Sequence, residues 1–320
     1  MALESVLNFE RPISELEQEL EKVKSLVAAG DMSLSVKLGK LEAKLDVLKK
    51  KVYGNLTSWQ KVQLARHPQR PYTQDYIKLL MTDFQELHGD RRFADDLALV
   101  AGLACFEGVP VLVMGQQKGR NVKENLERNF GMAKPEGYRK ALRLMQLAEK
   151  FNIPVITFVD TPGAYCGIEA EERGQAEAIA RNLYSMSDLK TPIIVFIIGE
   201  GGSGGALGIG VGDKIYMLEN SIYSVISPEG CASILWRDAS KAALAAETMK
   251  ITAKDCLNLC VIDEIIPEPL GGAHHSYEET AENIRKVLRR DLKELVKVVP
   301  NELIKKRYEK IRAWGAYKES

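Results

Sequence analysis

Residues Pro192 to Gly212 carry an apolar run, Ile193 to Ile198, straight into Gly199-Glu200-Gly201-Gly202-Ser203-Gly204-Gly205-Ala206. An apolar run bounded by glycine reads as a buried strand ending in a turn. Glycine lets the chain adopt positive φ and brings backbone N–H groups close to a ligand, so the start of the small-residue segment beyond is a candidate anion site.

Three patterns fit this segment. Gly199-x-Gly201-x-x-Gly204, with Glu219 about 20 residues on, matches a dinucleotide fingerprint, but only Ala206 to Gly212 separates the turn from the next strand, too short and glycine-rich for the helix that fold needs. Gly201-x-Ser203-x-Gly205 matches a nucleophile elbow and makes a serine hydrolase the alternative, although the only downstream histidines are His274 and His275 in a Gly271-Gly272-Ala273 loop. The third reading comes from a second loop of the same design. Val155 to Val159 ends in Asp160-Thr161-Pro162-Gly163-Ala164-Tyr165-Cys166-Gly167. Two such loops can aim amides at one developing oxyanion, where losing one donor costs about 3 to 4 kcal/mol in known cases. The bland alternative is tight packing at strand ends.

Basic and acidic residues balance at 44 each, which argues against a nucleic-acid binder. No apolar run approaches the roughly 18 residues of a membrane span. The acidic, polar start Met1-Ala2-Leu3-Glu4-Ser5 is unlike a signal peptide, so a cytoplasmic protein is expected. Cys105, Cys166, Cys231, Cys256 and Cys260 show neither disulfide nor zinc spacing. Cys256 and Cys260, one helical turn apart, are read as small buried residues.

Leucines and valines at spacings of three and four over Ile13–Leu26 and Leu34–Val52 predict two amphipathic helices folded as a hairpin, with Gly30 as the stop and Asp31 or Ser33 as the next cap. This hairpin, residues 1–60, is expected to serve an oligomer or partner contact. Residues 61–96 hold a Pro-containing connection and a helix near Thr73 to Leu87, with His67 and His88 isolated. Residues 97–275 form an α/β core: strands Leu97–Phe106 and Val109–Met114 around a Glu107-Gly108 turn, a helix Tyr138–Lys150, strand Val155–Val159, a helix from Glu169 to Met186, strand Ile193–Ile198, then Lys214–Leu218, Ile222–Ile226 and helices beyond Pro228. Residues 276–320 are a charged helical tail, Tyr277 to Tyr317.

Both glycine loops, with Ala65-Arg66-His67-Pro68-Gln69-Arg70-Pro71-Tyr72, Gln117-Lys118-Gly119-Arg120, Asn129-Phe130-Gly131-Met132, Tyr223 to Trp236 and Ile265 to His274, closely resemble the alpha subunits of bacterial acetyl-CoA carboxylase carboxyltransferase. The resemblance spans nearly the whole chain and is weakest in the hairpin. It implies a crotonase-like (ClpP/crotonase) spiral of strand–strand–helix units, working in an α2β2 assembly with a β subunit of related fold. The implied reaction moves a carboxyl group from biotin, attached to the biotin carboxyl carrier protein and not to this chain, onto acetyl-CoA. Malonyl-CoA for fatty acid synthesis results, with biotin carboxylase completing an ATP-dependent complex. A non-catalytic scaffold subunit is the remaining alternative.

Carried onto this sequence, the resemblance implies Gly204, Gly205 and Ala206 as the oxyanion donors. Gly163, Ala164 and Tyr165 would line the facing wall. Lys118, Arg120 and Arg128 are candidates to meet coenzyme A phosphates or the carboxylate, or else a solvated basic face. Glu171, Glu172 and Arg173 are read as capping and pairing. The family's zinc ribbon belongs to the β subunit, so no metal is expected on this chain. Cys166 stands where the family usually has proline, loosening that turn and placing a thiol beside it.

Overall fold

The computed structural model describes residues 6–29 and 31–315. The hairpin expected from the periodicity is present as helices Arg11–Ala28 and Ser35–Tyr53, closed on a small core of Ile13, Leu16, Leu20, Val23, Leu41 and Leu45. Between them Asp31 accepts from the Ser33 N–H, while the proposed stop at Gly30 lies outside the described residues.

Eight strands form one sheet: β1 (Thr82–Glu86), β2 (Leu99–Phe106), β3 (Val109–Gln116), β4 (Val155–Thr161), β5 (Ile193–Gly202), β6 (Lys214–Leu218), β7 (Ile222–Ser224) and β8 (Glu264–Ile266). Their order is β1-β2-β3-β4-β5-β6-β8, with β7 paired to β5. The β1-β2-β3 edge is antiparallel and the remainder parallel. Glu107 and Gly108 both have positive φ, as a two-residue hairpin turn requires.

Period-two alternation divides the sheet between two cores. Leu112, Met114, Val155, Val159, Ile193, Val195 and Ile197 face the helices Pro135–Lys150 and Gln175–Asp188. Their neighbours Val111, Val113, Ile156, Phe158, Ile194, Phe196 and Ile198 face helices Thr73–Leu80 and Tyr277–Leu295. With helices on both faces, the central strands β4 and β5 are buried almost throughout. On the second face Tyr76, Phe158, Phe196 and Tyr216 stack in file at 5.6, 5.6 and 5.3 Å. Each such contact contributes about 0.5–1.5 kcal/mol beyond area burial.

Several elements depart from the expected ones. The helix starting at Thr73 stops at Leu80, and the remainder of the expected helix becomes β1, because pairing with β2 satisfies its backbone; Asp83, at φ 54°, sits in the bulge. The Glu169–Met186 helix is two, Ile168–Glu172 and Gln175–Asp188, broken where Gly174 turns to φ 81°. The tail divides into Tyr277–Leu295 and Pro300–Arg312, with proline opening the second helix; Tyr317 lies outside the described residues. Most consequentially, β5 continues through Gly199 to Gly202, because its outer half leaves β6 and pairs with β7. The glycines there are strand, and the turn is confined to Ser203, at φ 53°.

Candidate functional site

The site forms where β3, β4 and β5 end together. Parallel pairing places Thr161 beside Gly201 after a register shift at Asp160, so the two glycine loops emerge as neighbours. They interlock. A Cβ on Gly202 would lie 2.2 Å from the Pro162 carbonyl oxygen, and one on Gly205 2.3 Å from the Gly163 carbonyl carbon, so packing alone demands glycine at both positions.

Gly163 and Gly204 differ. Neither has positive φ, and a Cβ on Gly163 would meet only Ser203 at 3.9 Å, while one on Gly204 would make ordinary contact with Ile179 at 3.6 Å. Among the described residues nothing requires glycine at either position. Both glycines leave open space beside the interlocked loops.

Ser203, Gly204 and Gly205 open the helix Ser203–Leu207, so their N–H groups have no preceding turn to bond to, and the cap residue Gly202 offers no side chain. Ala206 is fourth and fully buried, one step deeper. In the facing loop the Gly163 N–H donates to Thr161 Oγ1, whereas the Ala164 N–H has no acceptor among the described residues. The Tyr165 N–H donates to the Ala133 carbonyl, and its ring lies under Lys134 Nζ at 5.1 Å. Its phenol bonds Glu169, which raises the phenol pKa. Cys166 is exposed next to it.

One side chain that sequence reasoning missed joins both loops. Gln116, fully buried at the end of β3, accepts from the Asp160 N–H at 3.1 Å and donates to the Gly205 carbonyl at 3.0 Å. Beneath them lies a charge network. Lys118 Nζ donates to Asp160 at 2.7 Å and Glu200 at 3.2 Å, Asp160 also accepts from the Glu200 N–H, and Arg66 bridges Glu200 to Glu229. Gly199 has no side chain because Asp160 Oδ1 would lie 2.4 Å from a Cβ there. Burial would favour a neutral Lys118, yet Asp160 and Glu200 outweigh it and raise its pKa. Burial likewise opposes an ionised Glu200, but Lys118 and Arg66 hold its carboxyl below the usual range.

The three basic residues each have partners within the chain. Lys118 belongs to this network, with 13% of its side chain exposed. Arg120 lies over the Tyr72 ring at 3.9 Å, bonded to Asp75 and to the carbonyls of Pro68 and Arg70. Arg128 donates to the Leu97 carbonyl. Arg173 pairs with Glu136, as a pairing role requires, while Glu171 and Glu172 are exposed with no ion pair among the described residues.

Neither rival motif acquires its machinery. Five residues of helix follow the glycines, too few for a dinucleotide fold. Ser203 has the positive φ of a nucleophile elbow, but it hydrogen-bonds no histidine among the described residues. His274 and His275 instead gather with His67, which is not isolated: its ring stacks on His274 at 3.9 Å. His88 bonds Asp95. No described helix is long and apolar enough to cross a membrane.

Comparison with known proteins agrees with this geometry. In fold, the chain is similar to transcarboxylase 12S crystallised with methylmalonyl-coenzyme A (TM-score 0.55, 20% identity, 69% of this chain and 41% of that one). It is also similar to the geranyl-CoA carboxylase beta subunit of P. aeruginosa (TM-score 0.55, 15% identity, 83% and 47%). A Pseudomonas malonate decarboxylase hetero-tetramer in complex with coenzyme A gives a TM-score of 0.55 at 18% identity, covering 68% of this chain and 86% of that one. These likenesses bear out the crotonase-like α/β fold.

In sequence, acetyl-coenzyme A carboxylase carboxyl transferase subunit alpha of Geobacillus kaustophilus is 58% identical over 97% of this chain and 95% of its own. That of Geobacter metallireducens is 56% identical over 100% of both. The family described as acetyl co-enzyme A carboxylase carboxyltransferase-like matches residues 6–315. With sequence, fold and interlocked loops in agreement, the chain belongs to the family of acetyl-CoA carboxylase carboxyltransferase alpha subunits.

Proposed function

We propose that the cleft between the two glycine loops holds the biotin end of a carboxyl transfer from the biotin carboxyl carrier protein to acetyl-CoA, yielding malonyl-CoA. The observation that carries this is the pair Gly163 and Gly204, glycines that neither φ nor packing requires, flanking N–H groups that lack acceptors. Biotin supplies the carboxyl carrier, whose ureido oxygen becomes negative as the carboxyl group leaves. The chain's part is electrostatic. Gly204 and Gly205, with Ala206 behind them and Ala164 opposite, present fixed dipoles at short range without a titrating side chain. Lys118, Asp160 and Glu200 hold the loops in register from below, and Tyr165 borders the cleft.

The thioester is assigned to a partner β subunit in an α2β2 assembly in the cytoplasm, and biotin carboxylase supplies the carboxyl group on the carrier's biotin. Exposed apolar side chains support a partner surface: Ile168, Val225 and Ile234 are 79%, 80% and 71% exposed. The test is malonyl-CoA-dependent carboxylation of free biotin by the chain with and without the β subunit. The isolated chain is expected to be inactive, and G163A and G204A to assemble normally but lose turnover by about 10²-fold, as expected for a displaced reacting group. Comparable turnover by the isolated chain would refute the shared site. Wild-type turnover in both glycine variants would instead favour a scaffold role.

A further inference from the structure

Of the chain's four histidines, three meet at the seam between hairpin and core. His67 and His274 stack at 3.9 Å, and His275 follows His274 at 4.5 Å. Across the seam Glu10, from the start of the hairpin, approaches both. One ligand atom from each of Glu10, His274 and His275 lies within 4.8 Å of the other two. A cavity of about 580 Å³ opens beside them.

The arrangement is built rather than incidental. Gly271 and Gly272 have φ of 102° and 114°, and a Cβ on Gly271 would lie 2.5 Å from the His275 ring. The loop uses two consecutive glycines in a conformation that side chains avoid, folding both imidazoles back toward the hairpin. Glu10 is 7% exposed, and its carboxylate is oriented by the Tyr53 hydroxyl at 3.0 Å and the Leu7 N–H at 3.1 Å, with lone pairs left unused among the described residues. Such outer hydrogen bonds are what fix a ligating carboxylate.

His274 Nδ1 is buried with no hydrogen-bond partner among the described residues. Lys49, which faces the same cavity, is paired with Glu17 at 2.6 Å.

We propose that Glu10, His274 and His275 bind one divalent transition-metal ion of the zinc class, which fastens the hairpin to the core. Two nitrogens and one carboxylate favour zinc, cobalt or nickel over magnesium or calcium, which take oxygen ligands. With metal–ligand bonds near 2.0–2.2 Å the set closes by side-chain movements of about 1 Å or less. Three protein ligands leave a position for water. The site is independent of the carboxyl-transfer cleft.

The test uses the full chain, stripped by chelation and titrated with Co2+. One equivalent is expected to bind with ligand-field bands of low-coordinate cobalt and no thiolate charge-transfer band, and to slow proteolysis within Arg11–Ala28. E10Q and H275Q, which leave the fold intact by circular dichroism, should each weaken binding by at least about tenfold. H88Q should not. Absence of binding, a thiolate signature, or binding unchanged in both E10Q and H275Q would overturn the proposal.

Discussion

Two buried ion clusters adjoin the same strand and are built to different plans. In the first, Arg70 and Glu268 are both fully buried, and each guanidinium nitrogen and both carboxylate oxygens are bonded: Arg70 Nε donates to the Ile198 carbonyl, its two terminal nitrogens donate to Glu268, and Glu268 accepts further from Asn220 and the Ala273 N–H. In the second, Lys118, Asp160 and Glu200 lie beneath the two glycine loops, and their bonds run into both strands that carry them. A sealed pair fixes β5 just before its glycines, and an open one sets where those glycines point. Burial of charge alone does not distinguish structure from function; what else the charges touch does.

The contrast is sharpest in stability. R70M strands the Glu268 carboxylate in the interior, and about 3–5 kcal/mol of unfolding free energy should be lost in denaturant titration. A loss under about 1 kcal/mol would show that the clasp is not what secures β5. K118M should lose less stability, about 1–3 kcal/mol, because its site is partly open. Its carboxyl transfer with the partner subunit should nevertheless fall about 10²-fold through misplaced loops. Loss of activity only in proportion to loss of folded protein would erase the distinction between the clusters.

A pH series separates them further. The folded pKa of Glu200 is depressed, so its ionised form contributes stability above its ordinary 4.5, and that contribution drains away as pH falls through the lowered value. E200Q should therefore be less stable than the wild type by about 1–3 kcal/mol at neutral pH and converge with it in acid. A gap that stayed constant with pH would remove Glu200 from the network. The smallest effect concerns the thiols. Burial pushes the Cys256 thiol up to about 12, so it should resist alkylation, whereas exposed Cys166 at the cleft rim should react and lower turnover partially. C166S should protect; full activity after complete modification of Cys166 would show that the rim tolerates bulk.

Much of this was readable in the chain. The hairpin helices follow from leucine spacing, the Glu107-Gly108 turn from its flanking strands, and the kinship of the two loops from their matching glycines. What was not readable depends on partners distant in sequence. β1 resembles a helix end until β2 supplies its hydrogen bonds, and Gly199 to Gly202 resemble a turn until β7 pairs with them. Lys118 and Arg120 looked like a basic face because their acceptors lie 42 and 45 residues away, at Asp160 and Asp75. The histidine cluster joins residues from both ends of the chain, and cysteine spacing could not have pointed to it. A polar residue ending a buried strand, as Gln116 does, was the one local clue left unused.

Gln116 carries a mechanical consequence. A single carboxamide grips the base of one loop through its oxygen and the first turn of the other through its nitrogen. The loops therefore behave as the two jaws of one bracket: a push on either is transmitted across three strands, and the gap cannot widen without breaking the bond that sets it. On the proposed function, a group lodged between them would meet the stiffness of that one amide as well as the donors that touch it.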